Sequence, residues 1–342
     1  MKRTLRTSAL LGILAAAIGV SALFSYVRAN QPPARGLPPQ LLKRFDTDGD
    51  GKLNEQEAAK LRAGRDRGPF AIPADVKVYR DVHYGPHEER NLLDVYVPAG
   101  SVEPLPLVIW IHGGGWQNGS KATGGPAISL LSQGFAVASI NYRLSGDDVF
   151  PAQIEDCKAA IRFLRARAED YNVDPRRFGV WGSSAGGHLV ALLGTSGDVK
   201  DLEGAVGDFD EVTSRVQAVC DWFGPTDLLQ MGGRHDDAES PESKLIGGPI
   251  QERKAEAARA NPIAYVSPDD PPFLIMHGSS DPAVPFHQSE LLEAALKKVG
   301  VESTLVKLEG AGHGGPEFTS PDSQTRVAEF FSKHLSEKPT TK

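Results

Sequence analysis

Residues 180–189, VWGSSAGGHL, carry a serine between two glycines in the pattern G-x-S-x-G, formed by Gly182, Ser184 and Gly186. The segment joins an apolar, strand-like run to a helical pattern. A sharp strand-to-helix turn leaves no room for side chains beside its central residue, which explains the flanking glycines. The turn lifts the serine hydroxyl clear of the sheet, so the pattern predicts that Ser184 is a nucleophile.

A glycine run, HGGG at residues 112–115, follows another apolar strand pattern. Consecutive glycines let the backbone approach a substrate closely and point amide N–H groups towards it. We expect this run, with the amide of Ala185 after the nucleophile, to bind the oxyanion of a tetrahedral intermediate. The alternative is a simple glycine turn.

A serine becomes a good nucleophile when a base takes its proton, and a carboxylate commonly orients that base. Asp281, in HGSSDPAVP, and His313, in GAGHGG, each follow a strand pattern after Ser184. We therefore predict that His313 is the base and Asp281 its orienting acid. Asp227 is the rival acid, whereas His277 and His188 are interpreted as packing residues.

Other polar and aromatic side chains occur near these motifs. Arg143 and Asp156 are expected to form a structural ion pair near the site. Trp116 and Trp222 follow the predicted catalytic loops and could stack on a sugar or an aromatic acyl group, or belong to the core.

The elements that must position these residues alternate between strand and helix from about residue 76. Eight runs have strand character: VKVYRDVHY, NLLDVYV, LPLVIWIH, GFAVASINY, RFGVWG, VQAVCDWF, PPFLIMHG and STLVKLEG. The first two resemble an exposed antiparallel pair. Helical patterns occupy residues 152–171, 185–195, 287–300 and 322–335. This order predicts a mostly parallel sheet with helices on both faces.

The composition is that of a globular protein, with 40% hydrophobic and 24% charged residues. A net charge of −7 without a basic cluster argues against a nucleic-acid partner. Cys157 and Cys220 are too few for a disulfide scaffold and are expected to be buried and unpaired.

Residues 1–29 have the pattern of a secretory signal peptide: the basic start MKRTLR, an apolar run and the small-residue end VRA. We expect a secreted or periplasmic protein that does not enter a membrane after cleavage. An uncleaved N-terminal membrane anchor is the alternative. Residues 30–40 are rich in proline and are interpreted as a linker.

Residues 41–64 are predicted to be a small helical module with a single EF-hand calcium loop. Asp46, Asp48 and Asp50 occupy loop positions 1, 3 and 5, Lys52 offers a carbonyl at position 7, and Glu57 closes the loop. The alternative is an acidic surface turn. EF-hand loops usually occur in pairs, and the sequence contains no second loop. We therefore expect the bound Ca²⁺ to have a structural role, or the module to dock onto a partner, rather than to act as a calcium switch. Residues 65–75 are predicted to form a second linker, and residues 76–337 the catalytic domain.

Taken together, the motifs resemble those of α/β-hydrolases of the hormone-sensitive-lipase-like kind. A closer resemblance is to secreted carbohydrate esterases grouped as bifunctional acetylxylan and feruloyl esterases. It runs from about residue 76 to 334 and rests on HGGGW, NVDPRRFGVWGSSAGGHL, DWFGPTDL, ESPESKLIGG, ANPIAYV, HGSSDPAVP and GAGHGG.

The resemblance implies an α/β-hydrolase fold with an eight-stranded, mostly parallel sheet. It also implies Ser184, Asp281 and His313 as a triad and the amides of Gly114, Gly115 and Ala185 as oxyanion hole, with no catalytic cofactor. The implied reaction is hydrolysis of acetyl or feruloyl esters on plant or algal polysaccharide. The alternatives are a general short-chain carboxylesterase or formamidase, a peptidase of the same fold, and a non-catalytic calcium-dependent binding protein.

Overall fold

The computed structural model describes Asp50, Asn54 and residues 71–335 except residue 198. The chain divides into two units, residues 1–64 and 65–342, and only the second is described at length. The predicted signal peptide, the linker at residues 30–40 and nearly all of the predicted calcium module lie outside the described residues.

The second unit is built on an eight-stranded sheet in the order β1-β2-β4-β3-β5-β6-β7-β8. The strand β2 is antiparallel to both its neighbours, and all the other pairs are parallel. The strands are β1 (Val76–His83), β2 (Leu92–Pro98), β3 (Leu105–Ile111), β4 (Ala136–Ile140), β5 (Val173–Ser183), β6 (Ala218–Trp222), β7 (Phe273–Gly278) and β8 (Ser303–Leu308).

Six α-helices accompany the sheet within the described residues. They are α1 (Ala152–Ala166), α2 (Ala185–Thr195), α3 (Pro241–Ile246), α4 (Lys254–Arg259), α5 (His287–Lys298) and α6 (Pro321–Leu335). Short 3₁₀ helices fill several connections, including Gly125–Gln133 and Gly233–Asp236.

The strand β3 shows how the sheet is covered on both faces. Ile109 and Ile111 belong to one apolar cluster, which includes side chains of α1, α2 and α5. Val108 and Trp110 belong to a second cluster, which includes side chains of α6 and the Gly125–Gln133 helix. Because successive side chains of a strand point to opposite faces, the continuous apolar run of β3 supplies two cores at once.

The helix α6 illustrates how a repeat of apolar residues in the sequence corresponds to one buried helix face. Val327, Phe331 and Leu335 recur every fourth residue, so they lie on one face of the helix, and all three are fully buried in the second cluster. Burial of each such side chain stabilises the fold by about 1.5 to 3 kcal/mol.

The strand-and-helix alternation predicted from the sequence is confirmed, as is the mostly parallel sheet. One detail was wrong: β2 is antiparallel as expected, but it is buried rather than exposed, because its side chains belong to the apolar clusters on both faces of the sheet. The helical pattern at residues 152–171 ends earlier as α1 and continues as the 3₁₀ helix Ala168–Tyr171. The sequence analysis missed α3 and α4.

Cys157 and Cys220 are buried and free, in agreement with the sequence analysis. Among the helices of the described part of the chain, none is long and apolar enough to span a bilayer.

One carboxyl group lies in the core. Asp221 in β6 is fully buried, and its Oδ1 accepts a hydrogen bond of 2.9 Å from the Gly224 amide. Its other oxygen, Oδ2, has no partner among the described residues. Burial raises the pKa of Asp221 from 3.8 to about 6, although the Gly224 amide and His277 oppose the increase.

We predict that Asp221→Asn changes how stability depends on pH. Because the pKa of Asp221 is higher in the folded than in the unfolded protein, the folded state binds more protons than the unfolded state between pH 4 and 6. The wild type therefore loses stability as the pH rises through this window. The asparagine does not titrate. From pH 4 to 7 the unfolding free energy of wild type relative to the variant should therefore fall by about 2 to 3 kcal/mol. Urea unfolding at several pH values measures this, and a pH-independent difference would contradict it.

Candidate active site

Ser184 lies in a strained turn between β5 and α2, with φ 56° and ψ −122°. A Cβ atom on Gly182 would lie 2.3 Å from the Gly186 carbonyl oxygen, and one on Gly186 would lie 2.1 Å from the Ile111 carbonyl oxygen. Neither position has room for a side chain. The turn is held at Ser184 itself, whose amide donates to the Trp222 carbonyl at 2.9 Å.

The structure brings together the three residues predicted as nucleophile, base and acid. His313 Nε2 lies 2.9 Å from Ser184 Oγ, and His313 Nδ1 lies 2.7 Å from Asp281 Oδ2. With Nδ1 donating to the carboxylate, Nε2 is the acceptor for the serine hydroxyl proton. The geometry is that of a serine activated by a histidine whose tautomer a carboxylate sets.

The environment of Asp281 keeps it ionised. Its other oxygen, Oδ1, accepts hydrogen bonds from the Ala283 and Val284 amides at 2.7 and 2.9 Å. Burial by itself would raise the pKa of Asp281, but hydrogen bonds from His277, His313 and the two amides outweigh it and hold the pKa well below its usual range.

Two neighbours support this arrangement. His277 is fully buried and contacts Asp281 at 3.3 Å, while its ring nitrogens also meet the Ser289 hydroxyl and the Val284 carbonyl. The ring of Phe223 packs against that of His313, with 4.7 Å between centroids. His277 is therefore a packed residue, as expected, that also contacts the acid; the packing role of Phe223 had no signal in the sequence.

The glycine loop lies beside the nucleophile. A Cβ on Gly113 would lie 3.2 Å from the Ser184 Cβ, so this residue approaches the turn closely. Gly115 and Ala185 line the same cavity as Ser184. Within the described residues, the amides of Gly114, Gly115 and Ala185 donate to no acceptor. Free amides beside a nucleophile are what binding of an oxyanion requires.

A buried ion pair anchors the far end of this loop. Lys121 Nζ lies 2.5 Å from Asp94 Oδ1 and 2.6 Å from Asp81 Oδ1, and the Lys121 amide donates to Asn141 Oδ1 at 2.7 Å. Lys121 and Asp94 are both buried, so each charge depends on the other. These contacts of Lys121 hold the segment that follows the glycine run against β2 and the end of β4.

A cavity of about 450 Å³ opens over Ser184 and His313. Its apolar wall includes Trp116, Pro225 and Val284, and its polar side is formed by the segment of residues 234–242. This volume lies in the range that accommodates small-molecule ligands.

The two predicted substrate-binding tryptophans differ in position. Trp116 lines the cavity, although it is 1% exposed and packs edge-on against His188. Trp222 is buried in the second cluster, donates to the Met276 sulfur and does not line the cavity. This placement does not support substrate binding by Trp222. Successive side chains of β6 point to opposite faces of the sheet, and that of Trp222 points to the face covered by α6.

The rival residues have other partners. Asp227 caps a 3₁₀ helix by accepting from the Leu229 amide at 3.1 Å. His188 is fully buried with Nε2 2.7 Å from the Ala260 carbonyl oxygen, and burial lowers the pKa of His188 to about 4. Arg143 pairs with the buried Asp156 at 2.9 Å, as expected of a structural pair.

The segment of residues 234–242 was missed as part of the site. His235 Nδ1 lies 3.0 Å from Glu242 Oε1, and both residues line the cavity. No motif around them indicates chemistry, although Glu242 lies within the ESPESKLIGG stretch that carries part of the resemblance.

The predicted calcium ligands are almost entirely undescribed. Asp50 is exposed, whereas Asp46, Asp48, Lys52 and Glu57 lie outside the described residues. No cluster of three metal-binding side chains occurs among the residues that were described.

We predict that Gly186→Ala inactivates the protein, because the new methyl group would collide with the Ile111 carbonyl and displace the turn that carries Ser184. Displacement of a catalytic group by about 1 Å costs about 100-fold in rate. Hydrolysis of 4-nitrophenyl acetate measures the loss. Gly146→Ala is the matched control, since a Cβ there meets nothing within 4 Å. Equal activities of the two variants would contradict the packing argument.

Comparison with known proteins places this geometry in a family. The BD-FAE family model matches residues 93–296. Esterase LipQ of Mycobacterium tuberculosis is 32% identical over 291 residues, which cover 82% of this chain and 68% of LipQ. Esterase LipC of the same organism is 32% identical over 248 residues, which cover 69% of this chain and 59% of LipC, so the chain spans well under two thirds of that relative.

A solved structure, described as a truncated form of a carbohydrate esterase from gut microbiota, superimposes with a TM-score of 0.72. It is 36% identical, and the match covers 76% of this chain and 97% of that one. The serine turn, the eight-stranded sheet and these likenesses agree. The chain belongs to the BD-FAE family and is a carboxylic ester hydrolase with the α/β-hydrolase fold.

Proposed function

We propose that this esterase hydrolyses acetyl or feruloyl esters, carried on polysaccharide, through an acyl-enzyme formed on Ser184. The observation that carries the mechanism is the hydrogen-bonded chain from Ser184 Oγ through His313 to Asp281, at 2.9 and 2.7 Å. The substrate class is supported by the resemblance of the motifs and by the likeness to a carbohydrate esterase.

In the first half of the reaction, His313 Nε2 takes the proton of Ser184 as Oγ attacks the ester carbonyl carbon. The carbonyl oxygen becomes negative and is stabilised by the amides of Gly114, Gly115 and Ala185. Asp281 stays ionised and stabilises the imidazolium that forms. The imidazolium then protonates the leaving alcohol, and the acyl group remains on Ser184.

In the second half, a water molecule replaces the alcohol. His313 takes a proton from this water, the hydroxide attacks the acyl carbon, and Ser184 recovers its proton as the carboxylic acid departs. No metal or organic cofactor enters either half of the reaction.

One alternative is distinguished from this proposal by the substrate test given below. A general short-chain carboxylesterase or formamidase would use the same residues on simpler substrates. The non-catalytic calcium-dependent binding protein considered from the sequence is disfavoured by the esterase relatives and by the intact hydrogen-bonded chain.

We also propose export and a structural calcium ion, both on the basis of sequence. The N-terminal pattern supports a secreted or periplasmic location, and a polysaccharide substrate is consistent with it. The acidic loop supports Ca²⁺ binding by Asp46, Asp48, Asp50, the Lys52 carbonyl and Glu57, which are hard oxygen ligands.

We predict that wild type releases acetate from acetylated xylan or ferulate from methyl ferulate, and that Ser184→Ala lowers turnover at least about 10³-fold because no nucleophile remains. One panel of acetylated xylan, methyl ferulate, 4-nitrophenyl acetate and a long-chain triglyceride measures both.

Undiminished turnover by the Ser184→Ala variant would refute the mechanism. Activity of wild type on 4-nitrophenyl acetate alone would refute the polysaccharide assignment while leaving the mechanism intact. Absence of turnover on every ester would favour the binding protein.

Calcium removal is predicted to lower the melting temperature by about 3 to 6 °C, with less effect on turnover, because the ion would stabilise the folded state without touching substrate. Calorimetry with added Ca²⁺ and with a chelator measures the shift. The Glu57→Ala variant, which lacks the closing ligand, should respond weakly to chelator. Equal melting temperatures of wild type in the two conditions would contradict the calcium site.

A further inference from the structure

A second histidine–carboxylate pair lies in the cavity that contains Ser184. His235 belongs to the 3₁₀ helix Gly233–Asp236 and Glu242 to α3, and both line this cavity. The distance from His235 Nδ1 to Glu242 Oε1 is 3.0 Å. The pair is separate from His313 and Asp281, and the proposed acyl-enzyme steps do not use it.

The pair fixes the state of the imidazole. An ionised carboxylate can only accept hydrogen bonds, so Nδ1 carries the proton and donates it to Glu242. In the neutral ring, Nε2 is then a bare acceptor. No described residue makes a hydrogen bond to His235 Nε2, and the side chain is 12% exposed where it lines the cavity. This nitrogen is therefore the polar atom that His235 offers to a bound molecule.

Glu242 is well placed to hold the ring but not to meet the substrate itself. Its side chain is 5% exposed, and Oε2 is buried without a partner among the described residues. Glu242 is also held by the fold, since α3 is capped by Ser240, whose hydroxyl accepts from the Ser243 amide at 3.0 Å. Burial of an incompletely paired carboxylate is costly, so its retention beside His235 suits a positioning role.

The surroundings favour a hydroxyl group as the partner of Nε2. The cavity lining also has an apolar part, which includes Pro225 and Val284. Asp237, Glu239 and Arg234 also line the cavity, so its charged groups are of both signs, and the bare Nε2 acceptor is what favours a ligand with a hydrogen-bond donor. A molecule with both apolar surface and an O–H donor satisfies this combination.

We propose that His235 Nε2 accepts a hydrogen bond from a hydroxyl group of the substrate, and that Glu242 is the positioning residue that sets its tautomer. This inference rests on the proposed ester hydrolysis at Ser184. The hydroxyl belongs either to the sugar that carries the ester or to the phenol ring of a feruloyl group; both present the same donor.

Two matched substrate pairs separate these sources. The sugar pair is a methyl xyloside carrying one acetyl ester and the same compound with its free hydroxyls methylated. The acyl pair is methyl ferulate and methyl 3,4-dimethoxycinnamate, which differ only in the phenol hydroxyl. In each pair the measured quantity is the ratio of kcat/KM for the hydroxylated ester to that for its masked partner.

The variants isolate one nitrogen of the ring. In His235→Asn the side-chain amide can still donate to Glu242 but has no atom at the Nε2 position, whereas in His235→Gln the amide reaches that position. Glu239→Gln is the matched control, because Glu239 lines the same cavity with its side chain 88% exposed. Titration of Ser184 with a phosphonate probe counts the folded sites in every variant.

In one of the two substrate pairs, we expect His235→Asn to lower the ratio of kcat/KM for the hydroxylated ester to kcat/KM for the masked ester by about 3- to 10-fold, which corresponds to the loss of one hydrogen bond. The change should come from KM more than from kcat. His235→Gln should retain part of the ratio, and Glu239→Gln should keep it within about twofold. A drop in the sugar pair assigns the hydroxyl to the alcohol, and a drop in the cinnamate pair assigns it to the acyl group. Equal losses on hydroxylated and masked esters would overturn the proposal, as would a wild-type ratio near one in both pairs.

These outcomes are distinct from failure of the proposed function. Loss of that function would appear as wild type that cleaves the small acetyl xyloside or the cinnamates but neither acetylated xylan nor a feruloylated polysaccharide. The hydroxyl preference of His235 could still be measured on the small esters in that case.

Discussion

The site depends on how closely the backbone can approach itself at one turn. Ser184 adopts φ 56°, a conformation that L residues rarely adopt, between β5 and α2. Such strain persists only where the surrounding structure holds it, and here the Trp222 carbonyl accepts from the Ser184 amide. The glycines at 182 and 186 allow carbonyl oxygens to approach within distances that exclude a side chain. The sharp turn places the serine hydroxyl above the sheet edge, where residues from later loops reach it.

The parallel sheet converts chain order into spatial proximity. The strands β3, β5 and β7 all run in the same direction, so the loops at their carboxyl ends gather at one edge. These loops bring the glycine run, the nucleophile and Asp281 together, and the loop after β8 adds His313. Buried ion pairs and hydrogen bonds hold the outer parts of these loops, as Lys121 and Asp94 do for the glycine run.

Electrostatics divide the buried carboxyl groups into two kinds. Asp281 accepts several hydrogen bonds, which hold its pKa low, so it remains an anion beside His313. Among the described residues, Asp221 Oδ1 has one hydrogen-bond donor and Oδ2 has none, so burial raises the pKa of Asp221 to about 6. The number of hydrogen-bond donors around each carboxyl group, rather than burial alone, decides at which pH each of them loses its proton.

The sequence by itself determined the fold class, the nucleophile turn and the order of Ser184, Asp281 and His313, because local periodicity and glycine spacing report local backbone geometry. It also placed α6 closely, since its apolar positions recur every fourth residue, and α2, whose nearly continuous apolar run follows the serine turn. Only the tertiary structure decided which side chains meet across 129 and 32 residues of sequence in the serine–histidine–aspartate chain. It likewise put Trp222 in the core and His235 beside Glu242. Periodicity shows which face of an element is buried, but packing determines what that face contacts.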